Sequence, residues 1–226
     1  MTREKIYGKK FVFFDLDGTL VDTIPQYKAI FLSFFAGRFD FSSKTVTVSF
    51  EQMMGCPLEY HLKNLERLSG KKIANHKRVS EDFFKVAQRK LKPKLFANAL
   101  LTIEELKKRG YEIIISTSAD VEVEKEIFEK TYLSCLIDLG LGTDEAYPAI
   151  EKGKPHFRIA AQKYKISFRQ LCQKAVYIGD APHDMEIAEA NKVFAIGKLG
   201  STSAAKLKKA GANIVIKNLS DLLNYL

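Results

Sequence analysis

The sequence has few cysteines and lacks any long apolar run. The first absence argues against a disulfide-rich protein, and the second against a membrane-spanning one. Three cysteines occur among 226 residues, far apart and without metal-ligand spacing: Cys56, Cys135 and Cys172. This pattern favours reduced thiols over a disulfide framework. The first ten residues, MTREKIYGKK, lack the apolar segment of a signal peptide, and no stretch reaches the length of a membrane span. We therefore expect a cytoplasmic protein with no membrane partner.

Internal repeats and low-complexity tracts are also lacking, and the composition is that of a globular protein. Apolar residues make up 46% of the chain and charged residues 28%, which allows a sizeable core to be buried. A chain of 226 residues can form one large domain or a core with a smaller insert.

Acidic residues are scarce in one segment, and this scarcity accounts for most of the net charge of +9. Residues 21–95 carry 14 lysines and arginines against 7 acidic residues, a net charge of +7, which leaves +2 for the rest of the chain. The basic excess either faces an anionic substrate or forms a solvated surface with no partner. A nucleic-acid partner is the less favoured interpretation.

The stretch FVFFDLDGTLVD, residues 11–22, joins an apolar run to a pair of acids. The run Phe11–Phe14 predicts a short buried parallel strand, and Asp15 and Asp17 follow it directly. In open α/β sheets, ligands bind at the carboxyl ends of the strands. Two carboxylates so close together repel each other unless a cation lies between them, and a hard divalent cation such as Mg²⁺ suits their oxygen atoms.

Two later apolar runs also end in polar residues that suit this chemistry. Ile113–Ile115 leads into the hydroxyls of Ser116, Thr117 and Ser118, and a predicted helix follows from Val121. Hydroxyls and free amides at a strand-to-helix junction bind phosphate well, although hydroxyls are also common helix caps. The third run, Ala175–Ile178, is followed by two further acids, Asp180 and Asp184.

The segment between the first two runs has mainly helical patterns. Helices are predicted from Pro25 to about Gly37, from Pro57 to Leu68 and from Ser80 to Leu91. The stretch TVTVSF at Thr45–Phe50 alternates like a strand and is read as a strand or an extended connector. Beyond Lys92-Pro93-Lys94 the pattern alternates between strands and helices, with predicted strands at Leu136–Leu141, VFAIGKLG and ANIVIKN and a final helix LSDLLNYL.

The motif DLDGTLVDT, together with Gly153-Lys154-Pro155 and the GD-x3-D pattern at Asp180, resembles the haloacid dehalogenase-type hydrolases. Most of these are phosphatases and phosphotransferases. The resemblance extends over essentially the full chain. It implies an α/β fold, a Rossmann-like parallel sheet core formed by residues 1–21 and 96–226, with an inserted α-helical cap domain at residues 22–95.

The resemblance also implies roles for the acids and a Mg²⁺ cofactor. Asp15 would be the nucleophile that forms an aspartyl-phosphate, and Asp17 the general acid and base. Asp180 would ligate the metal directly, Asp184 would act through water or orient Lys154, and Asp15 and the backbone carbonyl of Asp17 would complete the metal site.

The remaining candidates contact substrate. Thr117 would bind a phosphate oxygen, with Ser116 as the alternative and Ser118 where many relatives carry asparagine. Lys154, held before Pro155, would neutralise the nucleophile and the phosphate; Lys152 is the less favoured alternative. Thr19 and Gly55 are further substrate-binding candidates, the second because relatives select substrates through the cap loop Met53–Cys56.

The leading hypothesis is therefore a Mg²⁺-dependent phosphatase that acts on a small phosphorylated metabolite, similar to phosphoglycolate phosphatases. A phosphomutase of the β-phosphoglucomutase kind shares the same motifs and is the alternative. A signalling receiver module is disfavoured by the acid pair on the first strand and by the long helical insert. A non-catalytic nucleic-acid or protein-binding module remains a third possibility, suggested by the basic insert.

Overall fold

A computed structural model describes residues 6–143 and 151–226, except for the side chains of Asp120 and Glu122. The chain divides into two compact units. An α/β unit contains Met1–Asp22 and Pro93–Leu226, and a helical unit contains Thr23–Lys92. Residues 93–95 belong to the α/β unit because Val21 pairs with Leu95, and the amide of Asp22 donates to the carbonyl of Lys94 over 2.7 Å.

The α/β unit is built on a six-stranded sheet in which every neighbouring pair of strands is parallel. The strands are β1 (Phe11–Phe14), β2 (Glu112–Asp120), β3 (Leu139–Thr143), β4 (Ala175–Gly179), β5 (Phe194–Lys198) and β6 (Ile214–Ile216). Their order is β3-β2-β1-β4-β5-β6. The predicted α/β fold class with a parallel sheet is therefore confirmed.

The strand order reverses direction between β1 and β4. Ligands bind at such a switch point, in the crevice outside the carboxyl ends of the strands. Phe14 of β1 pairs with Ile115 of β2 and with Ile178 of β4. The apolar runs identified in the sequence therefore end side by side, and the polar residues that follow them come together at one edge.

The helical unit contains four α-helices around an aromatic core. They are α1 (Ile24–Phe39), α2 (Ser43–Gln52), α3 (Leu58–Ser69) and α4 (His76–Lys90). The ring of Phe31 contacts the rings of Phe35, Phe50, His61 and Phe83. Aromatic side chains bury much apolar area each, so this cluster can stabilise a small unit.

The prediction for Thr45–Phe50 is wrong, because these residues lie inside α2. The hydroxyl of Ser42 accepts a hydrogen bond from the amide of Thr45 and caps the helix. The buried residues of α2 are Val46, Ser49 and Phe50, at the i, i+3 and i+4 spacing of one helical face. Packing of this face overrides the strand preference of the β-branched residues.

The α/β unit carries six further α-helices within its described residues. They are α5 (Ala99–Lys108), α6 (Val121–Thr131), α7 (Lys154–Lys163), α8 (Phe168–Lys174), α9 (Pro182–Ala190) and α10 (Ala204–Lys209). Short 3₁₀ turns cover Leu133–Cys135 and Leu219–Asn224, so the predicted final helix is a 3₁₀ turn. The third strand begins at Leu139, three residues later than predicted, and α8 was not predicted.

Helices cover both faces of the sheet. On one face, Val12 and Phe14 belong to a buried cluster with Ile103 of α5. On the other, Phe13 packs against Phe157 of α7, with ring centroids 4.7 Å apart. Burial on both faces explains why the strands read as continuous apolar runs. Among the residues that the structure describes, no helix is both long and apolar enough to cross a membrane.

Candidate active site

Three aspartates from neighbouring strand ends form a buried cluster in the α/β unit. Asp15 follows β1, Asp180 follows β4, and Asp184 lies in the first turn of α9. One carboxylate oxygen from each lies within 4.8 Å of the others, and all three residues are buried. The sequence predicted these three acids as metal ligands, and the fold brings them together.

A single buried lysine joins two of these acids. The Nζ atom of Lys152 lies 2.6 Å from Oδ1 of Asp15 and 2.6 Å from Oδ1 of Asp184. Its side chain is 2% exposed. Burial acts to lower the pKa of Lys152, but the two carboxylates outweigh it and hold the pKa well above its ordinary value. The lysine is therefore a fixed positive charge beside Asp15.

This geometry corrects the choice of lysine made from the sequence. Lys154 is the first residue of α7, is exposed, and has its ammonium 5.8 Å from the ring centroid of Phe168. The intervening Gly153 has a φ of 121°, a conformation that glycine adopts readily and other residues rarely adopt. It turns the chain between the two lysines. Lys152, the less favoured alternative, is the residue that contacts the acids.

The hydroxyl of Thr19 lies between two of the aspartates. Its Oγ1 donates to Oδ2 of Asp15 at 3.2 Å and is 3.3 Å from Oδ1 of Asp180. Ser201, just beyond β5, donates to Oδ2 of Asp180. Sequence reasoning missed Ser201, although a hydroxyl shortly after an apolar strand was the signal used for Ser116–Ser118.

The cluster carries more negative charge than Lys152 neutralises. Burial raises the pKa of Asp15 well above its usual range, and Asp184 and Asp180 raise it further against the effect of Lys152. Burial and the charge of Asp184 raise the pKa of Asp180 to about 6. Such shifts mark buried carboxylates that crowd one another with too little positive charge nearby. Several oxygen donors of this kind fit a hard divalent ion such as Mg²⁺.

Two glycines allow the backbone to approach these acids closely. A Cβ atom on Gly18 would lie 2.3 Å from Oδ2 of Asp180, and Gly18 also has a φ of +83°. A Cβ atom on Gly179 would lie 2.3 Å from Oδ2 of Asp184. Any larger residue would displace the carboxylates, so the glycines of DxDG and GD are required by the geometry of the cluster.

The predicted phosphate-binding hydroxyls lie in the second half of β2, and Ser116 is engaged in a buried network. His156 donates from Nε2 to the carbonyl of Gly142 at 3.3 Å, so its Nδ1 accepts the hydroxyl of Ser116 at 2.8 Å. Tyr177 donates its hydroxyl to the carbonyl of Ser116 at 3.1 Å. Burial and the charge of Lys152 lower the pKa of His156 to about 4, so the ring is neutral. The hydroxyl of Ser116 thus donates its proton to His156 within the protein.

Thr117 and Ser118 differ from Ser116 in their contacts. Thr117 is buried, and its Oγ1 accepts the amide of Ala119 at 3.1 Å. That bond uses an oxygen lone pair and leaves the hydroxyl proton for another acceptor. The carbonyl of Ser118 accepts the hydroxyl of Thr143 at 3.2 Å. Of the two alternatives for phosphate contact, this geometry favours Thr117 over Ser116.

Asp17 and Gly55, two further predicted site residues, also lie outside the aspartate cluster. Asp17 is partly exposed and its backbone pairs with Val21. Among the described residues, the carboxylates that gather are those of Asp15, Asp180 and Asp184, and Asp17 is not one of them. Gly55 lies between α2 and α3 in the helical unit, with a φ of +85°. Its role in substrate binding stays a prediction.

The chain is similar to known proteins over most of its length. The chain is 26% identical to the probable phosphatase IndB of Dickeya dadantii over 226 residues, 95% of this chain and 92% of that protein. The crystal structure of a hydrolase from Pseudomonas syringae superposes with a TM-score of 0.76 at 26% identity, covering 96% of both chains.

A further solved structure and a family model extend the comparison. The structure of a predicted phosphoglycolate phosphatase from Haemophilus somnus has a TM-score of 0.73 at 18% identity and covers 96% of this chain and 98% of that chain. At this identity the likeness concerns the fold. The model of the haloacid dehalogenase-like hydrolases matches residues 12–198, a span that includes every member of the aspartate cluster. The chain belongs to the haloacid dehalogenase-like hydrolase family.

Proposed function

We propose that the protein is a Mg²⁺-dependent phosphatase that hydrolyses a small phosphorylated metabolite through an aspartyl-phosphate. The observation that carries the proposal is the contact between Asp15 and Lys152 at the sheet's switch point, beside Asp180 and Asp184. A buried carboxylate held by a lysine and lined by further acids suits attack on phosphorus.

In this proposal Asp15, Asp180 and the backbone carbonyl of Asp17 would hold Mg²⁺, and Asp184 would act through water. When bound, the ion supplies positive charge that offsets the phosphoryl oxygens and the acids around them. Asp184 also accepts the ammonium of Lys152 at 2.6 Å. It therefore orients Lys152 toward Asp15, whereas the sequence prediction had Asp184 either act through water or orient Lys154.

Asp15 is the proposed nucleophile. Its carboxylate oxygen forms a bond to phosphorus while the bond from phosphorus to the leaving oxygen breaks, which leaves the phosphoryl group on Asp15. Lys152 favours the ionised form of Asp15 against the effect of burial, and it balances charge on the phosphoryl oxygens. Thr19 donates to Asp15 at 3.2 Å and restricts the carboxylate to one orientation. Thr117 donates its hydroxyl proton to a phosphoryl oxygen.

Asp17 is the proposed general acid and base. It gives a proton to the leaving oxygen in the first step, which releases the dephosphorylated metabolite. In the second step it takes a proton from water as the water oxygen attacks phosphorus, and the bond to Asp15 breaks. Asp17 is partly exposed, as a group that exchanges protons with substrate and water has to be.

The helical unit is the proposed source of substrate selection. Its segment Thr23–Lys92 is inserted between the first two strands of the sheet, and its loop around Gly55 carries the substrate-binding prediction. We further propose that this unit closes over the site as a cap and excludes bulk water during phosphoryl transfer. A small anionic metabolite of the phosphoglycolate kind agrees with the basic charge of this segment.

We also propose a cytoplasmic location. None of the three cysteines forms a disulfide, which agrees with that location.

The test is phosphate release from a panel of small phosphomonoesters that includes phosphoglycolate, sugar phosphates and nucleotides, with Mg²⁺ and with a chelator. Wild type is compared with Asp15→Asn and with Asp40→Asn, a matched change at a fully exposed side chain. We expect Mg²⁺-dependent release by wild type and Asp40→Asn and none by Asp15→Asn. Release that persists in Asp15→Asn would contradict the proposal. Turnover that requires a bisphosphate sugar and gives no free phosphate would identify a phosphomutase instead.

A further inference from the structure

A second buried lysine, Lys198, contacts the loop that carries the acids. It is the last residue of β5 and is 3% exposed. Its Nζ donates to the carbonyl of Gly18 at 3.0 Å and to the carbonyl of Leu199 at 3.4 Å. The same atom lies 3.5 Å from the centroid of the Phe96 ring. An ammonium has three donor hydrogens, and two carbonyls and one ring face account for them.

These partners are unusual for a buried ammonium. Buried lysines are rare and are normally paired with carboxylates, whereas the groups that Lys198 contacts among the described residues are neutral. Burial lowers the pKa of Lys198, and the more distant charges of Asp180, Asp22 and Asp15 act in the opposite direction. The field of the acidic site thus offsets part of the desolvation of the ammonium. Packing of the sheet alone does not explain a cation at this position.

The carbonyl that Lys198 binds belongs to a tight turn. The amide of Gly18 donates to the carbonyl of Val21 at 2.8 Å, and the amides of Leu20 and Val21 donate to the carbonyl of Leu16 at 2.9 and 3.0 Å. Gly18 has a φ of +83°, where the chain has more freedom than at other residues. Lys198 is 180 positions away in the sequence, and its contact fixes the carbonyl of Gly18. Gly18 is the residue of the turn with the greatest backbone freedom.

Asp17 directly precedes Gly18 in the chain. Rotation about the bonds of Gly18 changes the direction of the carbonyl of Gly18 and the path of the chain on both sides. Gly200 lies beside this contact: a Cβ atom there would be 3.5 Å from Nζ of Lys198 and 3.8 Å from the carbonyl oxygen of Gly18, which are ordinary van der Waals distances.

We infer that Lys198 is a positioning residue that holds the Gly18 carbonyl and thereby the orientation of Asp17 relative to Asp15. Its kinetic consequence rests on the proposed function, in which Asp17 is the acid and base. Its structural consequence, a rigid loop at residues 16–21, holds whether or not the protein is a phosphatase. The two consequences are measured separately.

Lys198→Met removes the ammonium and keeps a long apolar side chain. Lys198→Arg keeps the charge and the donors. Lys9→Met is the matched control: Lys9 also donates to a backbone carbonyl, that of Gln173 at 2.8 Å, and lies 5.9 Å from the Phe194 ring. Lys9 precedes β1 and so lies at the amino ends of the strands, opposite the aspartate cluster at their carboxyl ends. Both Met variants lose one positive charge from the same unit.

The first measurement is amide hydrogen exchange of residues 16–21 in the metal-free protein without substrate. We expect faster exchange in Lys198→Met, near wild-type exchange in Lys198→Arg, and no change there in Lys9→Met. Unchanged exchange in folded Lys198→Met would overturn the inference. If Lys198→Met does not fold, Phe96→Leu carries the test: loss of the ring should speed exchange in the same residues, and unchanged exchange would overturn the inference.

The second measurement is steady-state kinetics on the best substrate of the panel. We expect kcat of Lys198→Met to fall at least about tenfold, since misplacement of a catalytic group is costly, with KM little changed and much of kcat restored in Lys198→Arg. Equal kcat in Lys198→Met and Lys9→Met would overturn the positioning role. If wild type itself releases no phosphate, the proposed function fails, and the exchange result still decides whether Lys198 holds the loop.

Discussion

The ammonium of Lys152 is buried against the carboxylate of Asp15, with 2.6 Å between Nζ and Oδ1. The two residues are 137 positions apart in the sequence, and the parallel sheet brings them together. Lys154, two residues further on, is exposed. Two neighbouring lysines thus lie in very different environments. We therefore expect loss of Lys152 to be costly and loss of Lys154 to have little effect.

Lys152→Met is expected to lower kcat by about 10²-fold or more, because a preorganised charge beside the reacting group is lost. It should also destabilise the fold by about 3–5 kcal/mol, since removal of one partner leaves buried carboxylates uncompensated. Lys154→Met should leave both quantities near wild type. The measurements are steady-state kinetics and urea unfolding. Greater loss of activity in Lys154→Met would restore the choice of lysine made from the sequence.

Ser116→Ala and Thr117→Ala should separate a structural hydroxyl from a substrate-binding one. Loss of the Ser116 hydroxyl leaves Nδ1 of His156 without its donor at 2.8 Å, which should cost about 1–3 kcal/mol of stability. Thr117→Ala should instead raise KM or lower kcat, with a smaller effect on stability. Kinetics and thermal unfolding of both variants check this. The opposite pattern would make Ser116 the phosphate contact.

Glu124 of α6 should make stability depend on pH. The residue is 3% exposed, and its Oε1 has no hydrogen-bond partner among the described residues. Burial raises its pKa from 4.5 to about 7. A raised carboxyl pKa means that the protonated form is favoured in the fold. The stability that protonation contributes is present below pH 4.5 and is lost as the pH rises from there to about 7.

Glu124→Gln should therefore be more stable than wild type at pH 8, by about 3 kcal/mol at most, with the difference vanishing toward pH 4. Glu126→Gln, a matched change at an ion pair with Lys130 on the same helix, should not show this pH dependence. Urea unfolding at several pH values measures the effect. A wild-type protein that gains stability relative to Glu124→Gln as the pH rises would contradict the assignment.

Mg²⁺ should stabilise the protein through the aspartate cluster. An excess of 100-fold over Kd would add about 2.7 kcal/mol, visible as a rise in Tm that a chelator reverses. Asp180→Asn removes one of the crowded charges, so it should raise Tm without metal and abolish most of the rise with metal. Asp40→Asn should behave like wild type in both respects. A full Mg²⁺ response in Asp180→Asn would place the cation elsewhere.

Much of the fold and of the acidic site could be predicted from the sequence because the signals are local. Each apolar run ends in its polar residues within a few positions, as in Phe14 followed by Asp15. A parallel sheet then aligns the run ends automatically. The strand pattern at Thr45–Phe50 failed because the same residues also fit a helical face, and the packing of Val46 and Phe50 decided between them.

The rest depends on contacts between distant residues or on the direction of one turn. Whether Lys152 or Lys154 reaches Asp15 is decided by the backbone at Gly153, with its φ of 121°, and no pattern of residue types encodes that. The pairing of Ser116 with His156 spans 40 positions. Sequence motifs identify the residues that carry chemistry at strand ends. They do not identify the distant residues whose contacts keep those side chains in position.

The most direct test of the account is to look for the phosphoryl group on Asp15. Wild type with Mg²⁺ is mixed briefly with the best phosphomonoester, quenched in acid and digested, and its peptides are analysed by mass spectrometry. We predict a phosphorylated peptide that contains Asp15 in wild type and Asp40→Asn and its absence in Asp15→Asn. Rapid turnover with the phosphoryl group on another residue, or an equally phosphorylated Asp15→Asn, would contradict the account.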